Sequence, residues 1–288
     1  MIKCSEIGLH NADNKNFPNL ALLKLSAWHK SKGDNVSEYM PIFSSLYTKV
    51  YSSKVFTYTL DDCFIDPSHV IKGGTGYATN NELSDEIEHI CPDYSNLDYS
   101  IGFLTRGCPN KCSWCIVPKK EGDIQPHADI EEFLRHEKAI LLDNNVLASE
   151  HGIQQIEKIA KLRIKVDFNQ GLDARLIDDS IAKRLSKVKW LKPIRLACDS
   201  KSQMPYVKKA IKLLRKYNTT PTNYFVYVLV KDIEDALERV MFLKDLKVDP
   251  FAQPFRDKNT EPNKEQKRFA RWVNRKEIFN TVTWEEYV

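Results

Sequence analysis

Three cysteines fall on one short stretch, Gly107-Cys108-Pro109-Asn110-Lys111-Cys112-Ser113-Trp114-Cys115, in the spacing C-x3-C-x2-C. Three thiolates on a single loop can converge on one metal centre. Zinc takes four ligands and favours paired C-x2-C knuckles, so a structural zinc site would need a fourth ligand such as His127. A [4Fe–4S] cube also asks for four thiolates, and a loop that offers three leaves one iron open for a substrate or cofactor to chelate. The other cysteines, Cys4, Cys63, Cys91 and Cys198, are scattered. The chain opens on MIKCSEIGLHNADNK, without the apolar core of a secretory signal, so a disulfide framework is not expected and a cytoplasmic location is.

With an aromatic residue before its last cysteine, this loop resembles that of the radical S-adenosylmethionine (SAM) superfamily, and the resemblance covers roughly residues 98–257. The resemblance implies an enzyme. Cys108, Cys112 and Cys115 would hold a [4Fe–4S] cluster, and SAM would chelate its open iron through amino and carboxylate groups. One electron, from a donor of the flavodoxin or ferredoxin type, would split the sulfonium into methionine and a 5′-deoxyadenosyl radical that abstracts hydrogen from a substrate.

The same resemblance assigns residues that follow the strands. Trp114 matches the aromatic position that lies against the adenine. Asp143-Asn144-Asn145 occupies the place of the motif that receives the SAM ammonium, a task for acceptor oxygens; often Gly-Gly-Glu, it is here close to the variant of methylthiotransferase-like members. Within Asn169-Gln170-Gly171-Leu172-Asp173-Ala174-Arg175, Gln170, Asp173 and Arg175 are cofactor-binding candidates. Arg175 is the candidate for the SAM carboxylate, because a guanidinium fork matches it bidentately. Arg195 or Asp199 could reach the ribose or the substrate, and Val230 ends the apolar strand expected beside the adenine. Each has a plainer alternative: a helix N-cap for Asp143-Asn144-Asn145, a surface arginine for Arg175 and an inert buried thiol for Cys198.

Elements able to position these groups are legible. Short apolar runs at 99–104, 139–143, 164–168, 194–197, 224–230 and 248–253 alternate with helical patterns. Val207, Ala210, Ile211 and Leu214 share one helix face, and Ala236, Leu237, Val240 and Met241 share another. Such alternation means βα units and a parallel sheet. Periodicity does not choose between an open sheet and a barrel; the resemblance implies a partial (β/α)6 TIM-like barrel with its chemistry at the C-terminal strand ends.

The first 95 residues read as a small Rossmann-like α/β domain. A helix is expected over 19–32, carrying Leu20, Leu23, Ala27 and Trp28 and stopped by Gly33, and a strand over 50–59. Val70-Ile71 then runs into Gly73-Gly74-Thr75-Gly76, either a plain turn or a degenerate form of the glycine-rich loop that closes a cobalamin-type domain. None of His10, His29, His69 and His89 carries the D-x-H-x-x-G pattern of base-off cobalamin binding. A second cluster on Cys4, Cys63 and Cys91, as a methylthiotransferase would need, lacks the Gly-Cys context around Cys4. The expected division is therefore 1–95, a barrel over 96–257, and a basic extension over 258–288 packed on it.

Hydrophobic residues make up 42% and charged residues 28% of the 288, which excludes long disorder. No apolar run approaches the roughly 18–20 residues of a bilayer span, so no membrane partner is expected. The net charge is +4, and 256–276 alone holds eight Lys/Arg against three Asp/Glu. Interleaved with Phe269 and Trp272, these cations suit RNA or another anionic partner; equally, a helix could lay their stems over a core. Thr281 to Trp284 reads as a last strand or a docking tail. An RNA-modifying methylthiotransferase or methyltransferase is thus a narrower enzymatic reading, and a zinc-stabilised nucleic-acid-binding module the non-enzymatic one. The substrate is not written in the sequence, because superfamily members share the radical generator and differ in what lies next to it.

Overall fold

The computed structural model describes residues 4–13, 16–65, 69–77, 81–217, 224–256 and 261–287. Asp257 and Lys258 of the basic segment lie outside the described residues. The chain forms a mixed α/β protein of two compact units, Met1–Ile101 with Glu131–Arg135, and Gly102–Ile130 with His136–Val288.

The first unit is a parallel sheet, ordered β2-β1-β3-β4, of β1 (Glu6–Asn11), β2 (Asn35–Glu38), β3 (Lys49–Ser53) and β4 (Val70–Gly73). Helix α1 (Leu20–Ser31) begins where the Asn19 side chain accepts the Leu22 N–H, the usual cap for an orphan donor. A second, one-turn helix, α2 (Asp85–Glu88), follows β4. The strand expected over 50–59 stops at Ser53. Beyond it the Asp13 carboxylate accepts the Val55 and Phe56 N–H groups and the Thr59 hydroxyl, offering the backbone a turn in place of a ladder. Gly74, in the glycine run, has φ +97, and a Cβ there would lie 2.4 Å from the Lys54 carbonyl oxygen. The run is spent on a close chain crossing.

The chain enters the second unit within β5 (Ser100–Gly102) and makes a short antiparallel pair of β6 (Thr105–Arg106) with β7 (Gln125–Pro126), with α3 (Val117–Lys120) in the loop between them and α4 (Ile130–Phe133) after it. Then come β8 (Lys138–Leu141), α5 (Glu150–Leu162), β9 (Lys165–Phe168), α6 (Asp179–Leu185) and β10 (Lys189–Trp190). The chain continues through β11 (Ile194–Ala197), α7 (Met204–Lys216), β12 (Tyr224–Val230), α8 (Ile233–Asp245), β13 (Asp249–Pro254), α9 (Lys264–Asn274) and α10 (Lys276–Thr281). Strands β8, β9 and β10 pair in parallel, as do β11, β12 and β13, and a parallel bridge from Leu172 to Leu196 links the two sets. The segments that follow β8, β9, β11 and β12 therefore share one edge.

Two strands end earlier than their composition suggests. Asp143 Oδ1 accepts the N–H groups of Leu104 and Thr105, and those residues leave β5 to meet it. The inner face of α8 is also rotated: Arg239 is buried and Met241 is 39% exposed. The Arg239 guanidinium bonds the Cys198 and Leu229 carbonyls and the Asp235 carboxylate, which satisfies a buried charge.

Helix α9 packs on β13 with Phe269, Ala270, Trp272 and Val273 inward. The Asn274 amide bonds both the N–H and the carbonyl of Ala252, at 2.8 and 2.9 Å. Trp284 rests against Phe269 and Trp272, so the segment after α10, 282–284, is docked and is not a strand. With Phe269 at 0% and Trp272 at 1% exposure, these rings fill the core and are not available to stack bases. Among the described residues no helix is long and apolar enough to cross a membrane.

Candidate metal and cofactor site

The cysteine loop leaves β6 and returns to β7, and its feet are tied together. Gly107 N–H donates to Glu121 Oε2 and Cys108 N–H to the Gly122 carbonyl, at 3.0 and 3.2 Å. Gly107 has φ +78, and a Cβ there would sit 2.2 Å from the Asp123 carbonyl oxygen, so only glycine closes the loop. At the crown, Cys115 N–H bonds the Cys112 carbonyl at 3.0 Å. All three loop thiols are free and half-buried. Burial pushes the Cys112 thiol up, against the pull of Arg175, and Cys115, Cys108 and Asp199 add to the rise. Burial raises Cys115 too, with Cys108, Glu121 and Asp199 among its charged neighbours.

The end of β8 meets this loop. Asn145 Nδ2 lies 3.6 Å from Cys108 Sγ and 3.1 Å from Asp173 Oδ2, and Asn110 Nδ2 lies 3.5 and 3.0 Å from the same two atoms. The Cys108 sulfur thus accepts from two amides. Asn144 Nδ2 donates to Glu121 Oε2 at 2.9 Å, and Glu121 pairs with Arg106. Asp143 Oδ1 takes three donors from Leu104 and Thr105, whereas Asp143 Oδ2 and Asn145 Oδ1 are buried without a hydrogen-bond partner. Burial pushes Asp143 up to about 6, only partly offset by the Thr105 and Leu104 donors. Asn145 stands at the N-cap of the one-turn 3-10 helix Val146–Ala148 without bonding it through its side chain, and Ser149 caps α5.

After β9, Asp173 accepts from Arg175 Nε and Nη2 at 2.8 and 2.7 Å. Burial pushes Asp173 up, but the Arg175 fork and the amides more than offset it, and its carboxyl stays below the usual range. Arg175 is therefore already engaged by a carboxylate two residues away. Gln170 is exposed and makes no hydrogen bond among the described residues. Arg195 turns from the edge: its fork grips both oxygens of buried Asp167, and Nη1 reaches the Tyr227 hydroxyl. That geometry is a structural clamp between β9, β11 and β12, not an arm free to reach a ribose. Asp199, pushed up by burial, accepts the Leu229 N–H at 3.0 Å. Val230 is fully buried and meets its neighbours through its carbonyl, which accepts from Phe255 N–H and Gln266 Nε2. Lys231, just beyond it, places its ammonium 4.6 Å from the centroid of the half-buried Trp114 ring.

Sequence reasoning passed over Asn110, Glu121 and Lys231. Asn110 sits inside the cysteine motif, a position that could have flagged it. Glu121 reaches Gly107 only because the loop closes, and no local pattern marks that.

The remaining cysteines keep apart. Cys4 Sγ donates to the Gly33 carbonyl, Cys91 lies against the Pro92 carbonyl, Cys63 is exposed, and Cys198 is buried with its thiol pushed up to about 12. Among the described residues no three His, Cys, Asp or Glu side chains are gathered closely enough to hold a single ion. His127 packs edge-on to Phe103 at 6.3 Å between centroids. Comparison with known proteins finds no family model and no curated sequence that matches the chain.

Proposed function

We propose that the second unit is a radical SAM enzyme on a partial (β/α)6 barrel, in which Cys108, Cys112 and Cys115 hold a [4Fe–4S] cluster beside bound SAM. The observation that carries this reading is the meeting of two things at one strand edge. A loop of three free thiols stands beside two buried acceptor oxygens, Asp143 Oδ2 and Asn145 Oδ1, that no protein donor satisfies. Buried acceptors without partners are rare and ask for a ligand donor, and an ammonium fits that demand. The donor types suit the cofactor pair, since three thiolates would leave one cluster iron for a chelating ligand, and the loop sulfurs, not gathered around a single ion, would draw together on the cube.

When bound, the cluster would supply one low-potential electron for reductive cleavage of the SAM sulfonium to methionine and a 5′-deoxyadenosyl radical. The chain's own residues do the rest. Asn110 and Asn145 donate to the Cys108 sulfur and orient it. Asp143 and Asn145 receive the ammonium, Arg175 takes the carboxylate by exchanging it for Asp173, and Trp114 presents its ring to the adenine.

Anaerobic reconstitution should give about four irons and four sulfides per chain, the content of one cube, and dithionite should convert SAM to 5′-deoxyadenosine. A protein that retains one zinc and takes up no sulfide, or a Cys112→Ala variant that forms deoxyadenosine at the wild-type rate, overturns the proposal.

A further inference from the structure

The cationic surplus at 256–276 is not the largest in the chain. Residues 158–217 hold seventeen Lys/Arg against five Asp/Glu. The excess is spread over α5, α6, β10 and α7, which the sequence read only as parts of βα units.

Helix α7 is the clearest case. It contains Lys208, Lys209, Lys212, Arg215 and Lys216 and no acidic residue, and it buries Val207, Ala210, Ile211 and Leu214. Arg215 bonds the Leu246 and Lys247 carbonyls, and Lys216 pairs with Asp179. Lys208, Lys209 and Lys212 are exposed and have no ion pair or hydrogen bond among the described residues. They are neighbours at i,i+3 and i,i+4, where like charges repel. The neighbouring elements repeat the pattern. Helix α6 packs against α7 and carries exposed Lys183, and the chain beyond it adds exposed Lys187 and Lys189. Lys189 lies directly across the β9–β10 register from Lys165, again exposed and like-charged. Asp179 lies near Lys183 and Glu157 near Lys187, but the repulsion left among Lys208, Lys209 and Lys212 and across Lys165 and Lys189 would be relieved by a polyanion.

We infer that α7 and its α6–β10 flank form a docking surface for a nucleic-acid strand. Lys208, Lys209 and Lys212 would contact successive phosphates, and Tyr206, 48% exposed three residues before Lys209, would stack on a base. An anionic membrane fits less well. The apolar side of α7 is turned into the core, which leaves no amphipathic face to enter a bilayer. The inference does not depend on the proposed cluster, because it concerns the outer face of the helices.

The test uses the 288-residue chain, free of cluster, and two fluorescein-labelled probes, a 20-nucleotide oligouridylate RNA and the matching oligothymidylate DNA, followed by anisotropy across a salt series. Wild type should bind with a steep salt dependence. The variant K208Q/K209Q/K212Q should bind at least tenfold more weakly at 0.1 M salt and flatten the log–log slope by about 2, three phosphate contacts of a single strand. Tyr206→Ala should weaken binding about tenfold with the slope unchanged. Equal behaviour of the two probes would place recognition in the phosphates, and stronger RNA binding would add the 2′-hydroxyl. A K264Q/K267Q/R271Q variant on α9 should bind like wild type. The inference is overturned if the α7 triple variant, melting at the wild-type temperature, keeps the wild-type affinity and slope. It is equally overturned if the α9 variant alone loses binding, or if the protein sediments with phosphatidylserine vesicles and binds neither probe.

Discussion

Asp173 grips Arg175 through both carboxylate oxygens, two residues along the same loop. The side chain proposed to receive the carboxylate of SAM is thus gripped by a carboxylate of its own chain. Asp173 has two further donors, Asn110 and Asn145, so it can release the fork without being stranded.

Replacing Arg175 by Ala should weaken SAM binding at least tenfold at unchanged iron content, the loss expected for one charge-assisted bidentate contact. Arg175→Lys keeps the charge but not the fork and should fall between. Equilibrium dialysis with the reconstituted protein reads this; an Ala variant with wild-type affinity would reduce Arg175 to a loop clamp.

Asp143 gives a pH signature. Its folded pKa of about 6 lies above the ordinary value of 3.8, so the folded chain holds the proton more tightly than the unfolded one. The associated stability is fully present below pH 4 and is lost as pH rises through 6, about 3 kcal/mol in all. Urea titrations of cluster-free protein should show that loss between pH 4 and 7, and Asp143→Asn should abolish it while lowering SAM affinity. Parallel curves for the two proteins across this window would refute the assignment.

Arg195 was a candidate for the ribose, and the structure makes it the partner of buried Asp167. Arg195→Leu strands that carboxylate and should cost about 3–5 kcal/mol, a fall of roughly 10 °C in melting temperature for a chain of this size. The KM for SAM in the surviving folded fraction should not move. A raised KM with an unchanged melting point would return Arg195 to the cofactor.

Trp272 separates packing from nucleic-acid stacking in the C-terminal segment. Trp272→Ala should destabilise by about 3–5 kcal/mol and leave the salt slope of oligonucleotide binding untouched, as anisotropy below the melting transition would show.

How much of this was legible depended on how local each cause was. The helix over Leu20–Ser31 is written in a capping Asn19 and a following Gly33, and the structure places it within a residue of the expectation. The strands Ile194–Ala197 and Tyr224–Val230 stand where their apolar runs end. What failed were features set by partners distant in sequence. Asp13 ends β3 from more than forty residues away, and Arg239 enters the core because the Cys198 carbonyl just past β11 and the Leu229 carbonyl on β12 await it. At the candidate site, the three cysteines are visible in the sequence by their spacing, and the Asp143-Asn144-Asn145 run by its likeness to a superfamily motif. That Arg195 faces inward and Asn110 faces a sulfur depends on strand pleat and loop closure, which composition does not encode. The surplus over 158–217 was missed for a different reason: its cations are dispersed among apolar positions of βα units, and only the folded faces collect them.

Tied feet give the cysteine loop a fixed girth. Its crown can change fittings, since Pro109, Lys111 and Ser113 point outward and any of them can be exchanged without altering the circumference. One methyl group at Gly107 is another matter. It would collide with the carbonyl of Asp123 on the opposite foot, prise the ring open and carry all three sulfurs out of register, although no sulfur had been touched.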